Sequence, residues 1–272
     1  MKSFSNKVAV ITGAGSGIGR ALAQQLSAEG AQLALSDVNE KGLEETKASL
    51  TGNTKVTITK LDVADRTAFE NYSQEVIKEF GQADLLFNNA GVALAQTVDD
   101  CSYEDFEWLM NINFWGVVYG TKSFLPHMLT RPEAAIINVS SIFGIIALPT
   151  QSQYNAAKFA VRGFTESLRQ EVKDSNVFVG CVHPGGIKTN IVVNGRMHTS
   201  MVGEQTHAQQ IEEFNKMART TPAKAAETIL SGIRKNKRRI LIGQDAKFMD
   251  RIQRLFPEKY TNIFATLLKF AS

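Results

Sequence analysis

Cysteine is scarce in this chain: Cys101 and Cys181 are the only two among 272 residues, and they do not form a CxxC pair. So few thiols cannot build a disulfide framework, and the reduced interior of a cell is the expected setting. Metal-ligating patterns are missing as well. His183, His198 and His207 lack the spacing of a zinc site, so no structural or catalytic metal is expected. No apolar run approaches the roughly 18 residues that would cross a bilayer. The first short one, residues 8–12, cannot serve as the core of a secretion signal. Together these absences predict a cytoplasmic protein. Charge of one sign is also lacking, the net value being only +3. The one dense basic run, residues 234–239, carries no interleaved aromatics, so it reads as a solvated helix end and not as a nucleic-acid patch.

What the chain does contain is alternation. β-rich apolar runs at residues 8–11, 33–35, 56–58, 85–87, 136–139, 177–182 and 240–242 are separated by helix-period segments at 20–29, 65–80, 103–129, 154–173 and 223–235. Strands spaced by helices of that length form βαβ units, and right-handed crossovers place helices on both faces of a parallel sheet. The expectation is α/β: a single Rossmann-type, doubly wound domain over residues 1–272 with a seven-stranded parallel sheet. A hydrophobic fraction of 43% can fill such a core, and no repeat or linker divides the chain. The polar stretch 189–221 interrupts the alternation and reads as a substrate lid, because long irregular connections are usually binding loops.

The first strand runs directly into Thr12-Gly13-Ala14-Gly15-Ser16-Gly17-Ile18-Gly19, which opens a helix. Its glycines permit a tight turn and close approach to a pyrophosphate, and the helix N-terminus supplies N–H groups to it. The stretch is neither GxGxxG nor a P-loop, since Ile18 and Arg20 stand where glycine would be needed and no Gly-Lys-Ser/Thr follows. Asp37 follows Gly17 by 20 residues at the end of the second expected strand. A carboxylate there binds both ribose hydroxyls of NAD and repels the 2′-phosphate of NADP, with no cation at Ser16 or Val38 to compensate. NAD is the expected cofactor, NADP the less favoured.

Tyr154-Asn155-Ala156-Ala157-Lys158 places a phenol one helical turn before an ammonium, so both share a face. Tyrosine titrates near pH 10, and a unit charge about 4 Å away supplies about 4 kcal/mol at an effective dielectric near 20. That is enough to bring the phenol to roughly 7 or 8, so a tyrosine lowered by its lysine is expected.

In combination these motifs resemble the short-chain dehydrogenase/reductase family over roughly residues 7–189. The glycine motif at Thr12 to Gly19, Asp62-Val63, Asn88-Asn89-Ala90-Gly91, Asn113, Ser141, Tyr154 with Lys158, and Pro184-Gly185 followed by Thr189 match in order. The resemblance implies strand order 3-2-1-4-5-6-7 and a homodimer or homotetramer packed through two long helices. It implies Asn113, Ser141, Tyr154 and Lys158 as catalytic residues. It also implies cofactor contacts from Gly13, Ser16, Gly17, Ile18, Gly19, Asp37, Asp62, Val63, Asn89, Ala90, Gly91, Tyr154, Lys158, Pro184, Gly185, Ile187 and Thr189. His183 is a variant position, read as structural. Stretches 154–164 and 183–189, with Asp245-Ala246-Lys247, are similar to a branch with broad secondary-alcohol dehydrogenases.

The substrate is read as a small apolar alcohol or ketone, from Ile142, Phe143, Ile145, Ile146, Leu148, Val192, Val193 and Met197 around the expected pocket. Two other readings are a 3-oxoacyl thioester reductase using NADPH, which Asp37 disfavours, and an NAD-binding sensor without turnover, which the intact Ser141, Tyr154 and Lys158 disfavour. The tail, residues 244–272, carries Ile252, Leu255, Phe256, Tyr260, Ile263, Phe264, Leu267 and Leu268 at near-helical spacing, with Pro257 interrupting. Packing on a neighbouring subunit or over the active site is expected of it. Peripheral membrane contact through Lys247, Arg251, Arg254, Lys259 and Lys269 is the alternative.

Overall fold

The computed structural model describes residues 1–199 and 205–264. In chain order the elements are β1 Val8–Thr12, α1 Gly17–Ala28, β2 Gln32–Asp37, α2 Glu40–Ala48, β3 Val56–Lys60, α3 Arg66–Phe80, β4 Leu85–Asn88 and β5 Leu94–Ala95. Next come α4 Tyr103–Met110, a π-helical turn Asn111–Trp115, α5 Gly116–Leu129, β6 Ala134–Val139, a short 3-10 turn Ile142–Gly144 and α6 Ser152–Glu171. The chain continues with β7 Val177–Pro184, β8 Arg196–Met197, α7 His207–Met217, α8 Pro222–Arg234, β9 Arg239–Ile242 and α9 Gln244–Leu255.

Seven strands form one sheet in the order β3-β2-β1-β4-β6-β7-β9, every neighbouring pair parallel. This is the expected Rossmann-type order. Strands such as Val8–Thr12 and Ala134–Val139 are buried at every residue, as a sheet covered on both faces requires. Their side chains divide by parity. Ala9, Ile11 and Ile137 join Leu22, Leu26, Ile229 and Ile233 of α1 and α8, whereas Val10, Leu86 and Ile136 join Phe69, Phe124 and Leu168 of α3, α5 and α6.

The order reverses between β1 and β4, whose neighbours lie on opposite sides, and ligands of open α/β sheets bind at the C-terminal ends of the strands at such a point. Asn88, Thr12 and Asp37 all end strands at that edge.

Four local features differ from the sequence expectations. Helix α2 is present although its sequence is mostly polar, held by an Asn39 cap that accepts from Gly42 N. The expected helix at 103–129 contains the π-turn at its middle, because an inserted residue there turns Asn113 inward. Stretch 189–221 is not plain loop: β8 pairs with β5, Thr206 caps α7 in a capping box, and Ile187 bridges Thr220. The tail divides its stripe. Ile252, Tyr260 and Phe264 pack on Ile142, Ile145 and Ile146, whereas Leu255 and Phe256 are exposed; Leu267, Leu268 and Lys269 lie outside the described residues. Among the described residues no helix is long and apolar enough to cross a membrane, and no group of three or more His, Cys, Asp or Glu is placed to hold a metal.

Candidate active site

The glycine loop turns sharply because Gly13 (φ 65°) and Gly17 (φ 53°) adopt the left-handed region. It is also pressed against β4. A Cβ on Gly13 would lie 2.8 Å from Ala90 Cα, and one on Gly19 only 2.2 Å from Gly13 O. Thr12 Oγ1 accepts from Asn89 N (3.0 Å) and Ala90 N (3.1 Å), while Asn89 Nδ2 donates to Thr12 O (2.9 Å) and Gly13 O (3.2 Å). These four bonds staple Asn89 and Ala90 to the loop.

At the start of α1 the Ser16 cap makes no side-chain hydrogen bond, and no acidic residue stands in the first turn. The first N–H groups are therefore unspent, as a phosphate-binding helix end needs. Asp37 leans over the loop: Oδ2 accepts from Gly15 N and Oδ1 from Asn39 N, both at 2.9 Å. Each carboxylate oxygen retains a second lone pair for a ligand hydroxyl. These residues fit a dinucleotide. Ile18 packs into the core behind the loop, and Val63 is buried against Gly116. Asp62 is exposed and accepts from Ala64 N at 2.9 Å.

Across the switch point, α6 carries Tyr154 and Lys158 inward, 9% and 3% exposed. Lys158 Nζ donates to Val139 O (3.2 Å) and lies 5.6 Å from the centre of the Tyr154 ring. Ser141, just past β6, accepts from Phe143 N through Oγ at 3.1 Å, and its side chain acts to lower the titration of the Tyr154 phenol. Asn113 is fully buried; its carboxamide accepts from Val92 N (2.8 Å) and donates to Val92 O (2.9 Å). Gly91 is the spacer, since a Cβ there would lie 3.0 Å from Asn113 Oδ1 and 3.4 Å from Lys158 Nζ.

The titration of this pair differs from the sequence expectation. Burial pushes the Tyr154 phenol up to about 12, with the Ser141 side chain opposing it, and burial also pushes Lys158 down to about 8. Desolvation disfavours both charged forms. The expected lowering assumed a surface-like dielectric and an ammonium about 4 Å from the oxygen; here both groups lie under the sheet edge and the ammonium turns to the Val139 carbonyl. Tyr154 is thus a neutral phenol at neutral pH.

The Pro184 turn closes the circle. Gly185 N donates to Ile242 O (2.9 Å), Ile187 is buried, and Thr189 Cγ2 comes to 3.0 Å from the Cβ position of Gly17. A run of close approaches thus joins Thr189 to Gly17, Gly13 to Ala90, and Gly91 to Asn113 and Lys158. Phe143 packs edge-on to Tyr154, with ring centres 6.1 Å apart, and Val192 is buried; Val193 is exposed.

Several supporting contacts went unread in the sequence. Asn88 Nδ2 donates to Asn138 Oδ1 (2.8 Å) and Thr121 Oγ1 (3.1 Å), and Asn138 Nδ2 to Thr165 Oγ1 (3.0 Å), tying β4, α5, β6 and α6 together. Polar residues inside otherwise apolar strands were the available signal. Ser140 Oγ donates to Lys158 O (2.8 Å), and Asn155 Nδ2 to Phe143 O and Ile146 O, both 2.7 Å. His183, fully buried, points Nδ1 at Ser141 O (3.0 Å); a carbonyl only accepts, so Nδ1 carries the proton. Burial pushes this imidazole down to about 4. Its contact supports the structural reading of His183 and makes the carbonyl of Ser141 its partner.

The chain is similar to known proteins. The short chain dehydrogenase family model matches residues 7–199. The SadH protein of Mycobacterium tuberculosis is 46% identical over 270 residues, covering 97% of this chain and 96% of that one. Dehydrogenase/reductase SDR family member 7B of Mus musculus is 33% identical over 242 residues, covering 87% and 73%. Among solved structures, a short chain dehydrogenase/reductase from Burkholderia phymatum in complex with NAD superposes with a TM-score of 0.85 at 28% identity, covering 95% of this chain and 96% of that one.

Proposed function

The chain belongs to the short-chain dehydrogenase/reductase family, and we propose that within it this protein is an NAD-dependent oxidoreductase interconverting an apolar secondary alcohol and its ketone. The observation that carries the reading is the buried Tyr154 with Lys158 Nζ 5.6 Å from its ring, and Lys158 in turn beside Gly91, next to the Ala90 that is stapled to the glycine loop. A dinucleotide held by that loop supplies or accepts the hydride. Tyr154 donates its hydroxyl proton to the carbonyl oxygen in reduction and takes it back in oxidation. Ser141 donates to the same oxygen and stabilises the charge that develops on it. Lys158 holds positive charge beneath the phenol and steadies the nicotinamide ribose. Asn113 fixes Val92 and with it Gly91, and in the family's manner would keep a water linking Lys158 to solvent.

Because Tyr154 is a neutral phenol near pH 7, it stands ready as the proton donor for ketone reduction. In alcohol oxidation the rate is expected to rise with pH. Asp37 supports NAD over NADP, as does the NAD named in the complex of the Burkholderia relative. The apolar wall of Ile142, Ile145 and Ile146, reinforced by Phe264, supports a hydrophobic substrate. Residues 189–221 act as the lid of a single domain. The exposed Trp115, stacked on Tyr119, supports a homodimer or homotetramer through the long helices. The exposed Phe248, Leu255 and Phe256 beside Lys247 and Arg251 leave an outer tail face suited to an anionic membrane surface, which liposome co-sedimentation tests.

The functional test follows NADH fluorescence across secondary alcohols and ketones of increasing chain length, with both cofactors. Turnover should grow with chain length and favour NAD. A preference for NADP, or no turnover of any member, would overturn the reading.

A further inference from the structure

The Pro184 turn is held from behind by a residue 59 positions later in the chain. Asp245, in the first turn of α9, accepts from Gly186 N at 2.7 Å. Its carboxylate occupies the space that side chains on two neighbouring glycines would fill. A Cβ on Gly185 would lie 2.2 Å from Asp245 Oδ2, and one on Gly243 (φ 96°) 2.1 Å from Asp245 Oδ1. Gly185, Gly186 and Gly243 thus form a slot shaped around one carboxylate. The turn is further tied on its other side, where Thr220 N donates to Gly186 O at 3.2 Å and Lys188 N to Thr220 O at 2.9 Å. Among the described residues no cation forms an ion pair with Asp245, so the backbone N–H of Gly186 is its defined partner.

We infer that Asp245 is the positioning residue of the turn 184–189, setting its main chain to receive the nicotinamide half of the dinucleotide. The inference rests on the dinucleotide reading above and extends it to a residue outside the motifs of that reading. Its physical content is that a charged acceptor in a glycine-lined slot fixes Gly185 and Gly186 more tightly than two glycines could fix themselves. Asp245 touches no reacting atom; it acts through the turn.

Calorimetric titration of wild type, Asp245→Ala and Asp245→Asn with NAD+ and with ADP-ribose, which lacks nicotinamide, is the test. In Asp245→Ala the Kd for NAD+ should rise about tenfold, the usual scale for losing a hydrogen bond to a charged group, while that for ADP-ribose stays within about twofold. Asp245→Asn, which keeps a carbonyl acceptor, should stay within about threefold of wild type for both. If Asp245→Ala folds poorly, Gly185→Ala reads the same slot: alone it should weaken NAD+ binding, and the double variant Gly185→Ala/Asp245→Ala should bind better than Gly185→Ala. Unchanged NAD+ binding in Asp245→Ala, or equal weakening of both ligands, overturns the inference while the dinucleotide reading stands. A wild type that binds neither ligand overturns both.

Discussion

Two glycine turns, one after β1 and one after β7, approach each other where Thr189 Cγ2 lies 3.0 Å from the Cβ position of Gly17, and they share a device. In each, a carboxylate from a later segment accepts a main-chain N–H: Asp37 from Gly15 at 2.9 Å, Asp245 from Gly186 at 2.7 Å. In each, the glycine beside it has no side chain because the carboxylate fills that space, at 2.9 Å for Gly15 and 2.2 Å for Gly185. The difference lies in where the remaining lone pairs point. Asp37 ends a strand at the rim and also braces Asn39 N, leaving it open to a ligand. Asp245 lies behind its turn, wedged against Gly243. The comparison teaches that the same hydrogen bond can leave one carboxylate open at a strand end and wedge the other between glycines.

Four substitutions would break or sharpen that contrast. Tyr154→Phe, between the turns, should lower kcat by about a thousandfold, the scale of a lost general acid, while NAD+ affinity at both ends stays within about twofold. Retention of most of kcat would remove Tyr154 from its role. Acid should separate the turns next. His183, one residue before the Pro184 turn, has a folded value of about 4 below its ordinary 6.5, so the unfolded chain takes up a proton that the folded chain refuses. The stability it permits is present above pH 6.5 and falls away toward pH 4, by about 3 kcal/mol. His183→Asn should flatten that acid limb of Tm against pH; an unchanged slope would contradict it.

At the other turn, Asp37→Ala should cut the NAD-to-NADP ratio of kcat/KM by about thirtyfold, or about 2 kcal/mol, by removing a like charge from the 2′-phosphate. A ratio that does not move would place cofactor choice elsewhere. Gly163→Ala, in α6 and remote from both turns, has nothing within 4 Å of the new Cβ. It should stabilise by about 0.5–1 kcal/mol through helix propensity, read as a small rise in Tm. Destabilisation would mean that a contact outside the described residues fills that space.

The first turn was legible because its chemistry is local. Gly13, Gly15 and Gly17 follow an apolar strand and precede a helical pattern, and Asp37 stands one βα unit away at a fixed spacing. The second was read only as a Pro-Gly signature by family resemblance. Asp245 was noticed as part of a similar stretch with no task assigned, and His183 was read as structural without its Ser141 partner, because their contacts span 59 and 42 residues. Tyr260, whose hydroxyl accepts from Ala147 N at 3.1 Å, reaches across 113. No periodicity reports contacts of that separation. Helix α2 escaped for the opposite reason: a short polar helix carried by a cap and one buried edge leaves little apolar signal.

The amino-acid order by itself determined the alternation of strands and helices, the parallel sheet, the glycine loop and the neighbours Tyr154 and Lys158, since each depends on residue type at short range. The folded arrangement alone decided how those groups behave. Burial beneath the sheet edge, not the lysine four residues on, sets the Tyr154 phenol at about 12. A segment from the far end of the chain supplies the carboxylate that holds the Pro184 turn. Desolvation and long-range contact are properties of the packed interior, where the local dielectric and the identity of the neighbour are fixed only once distant segments meet.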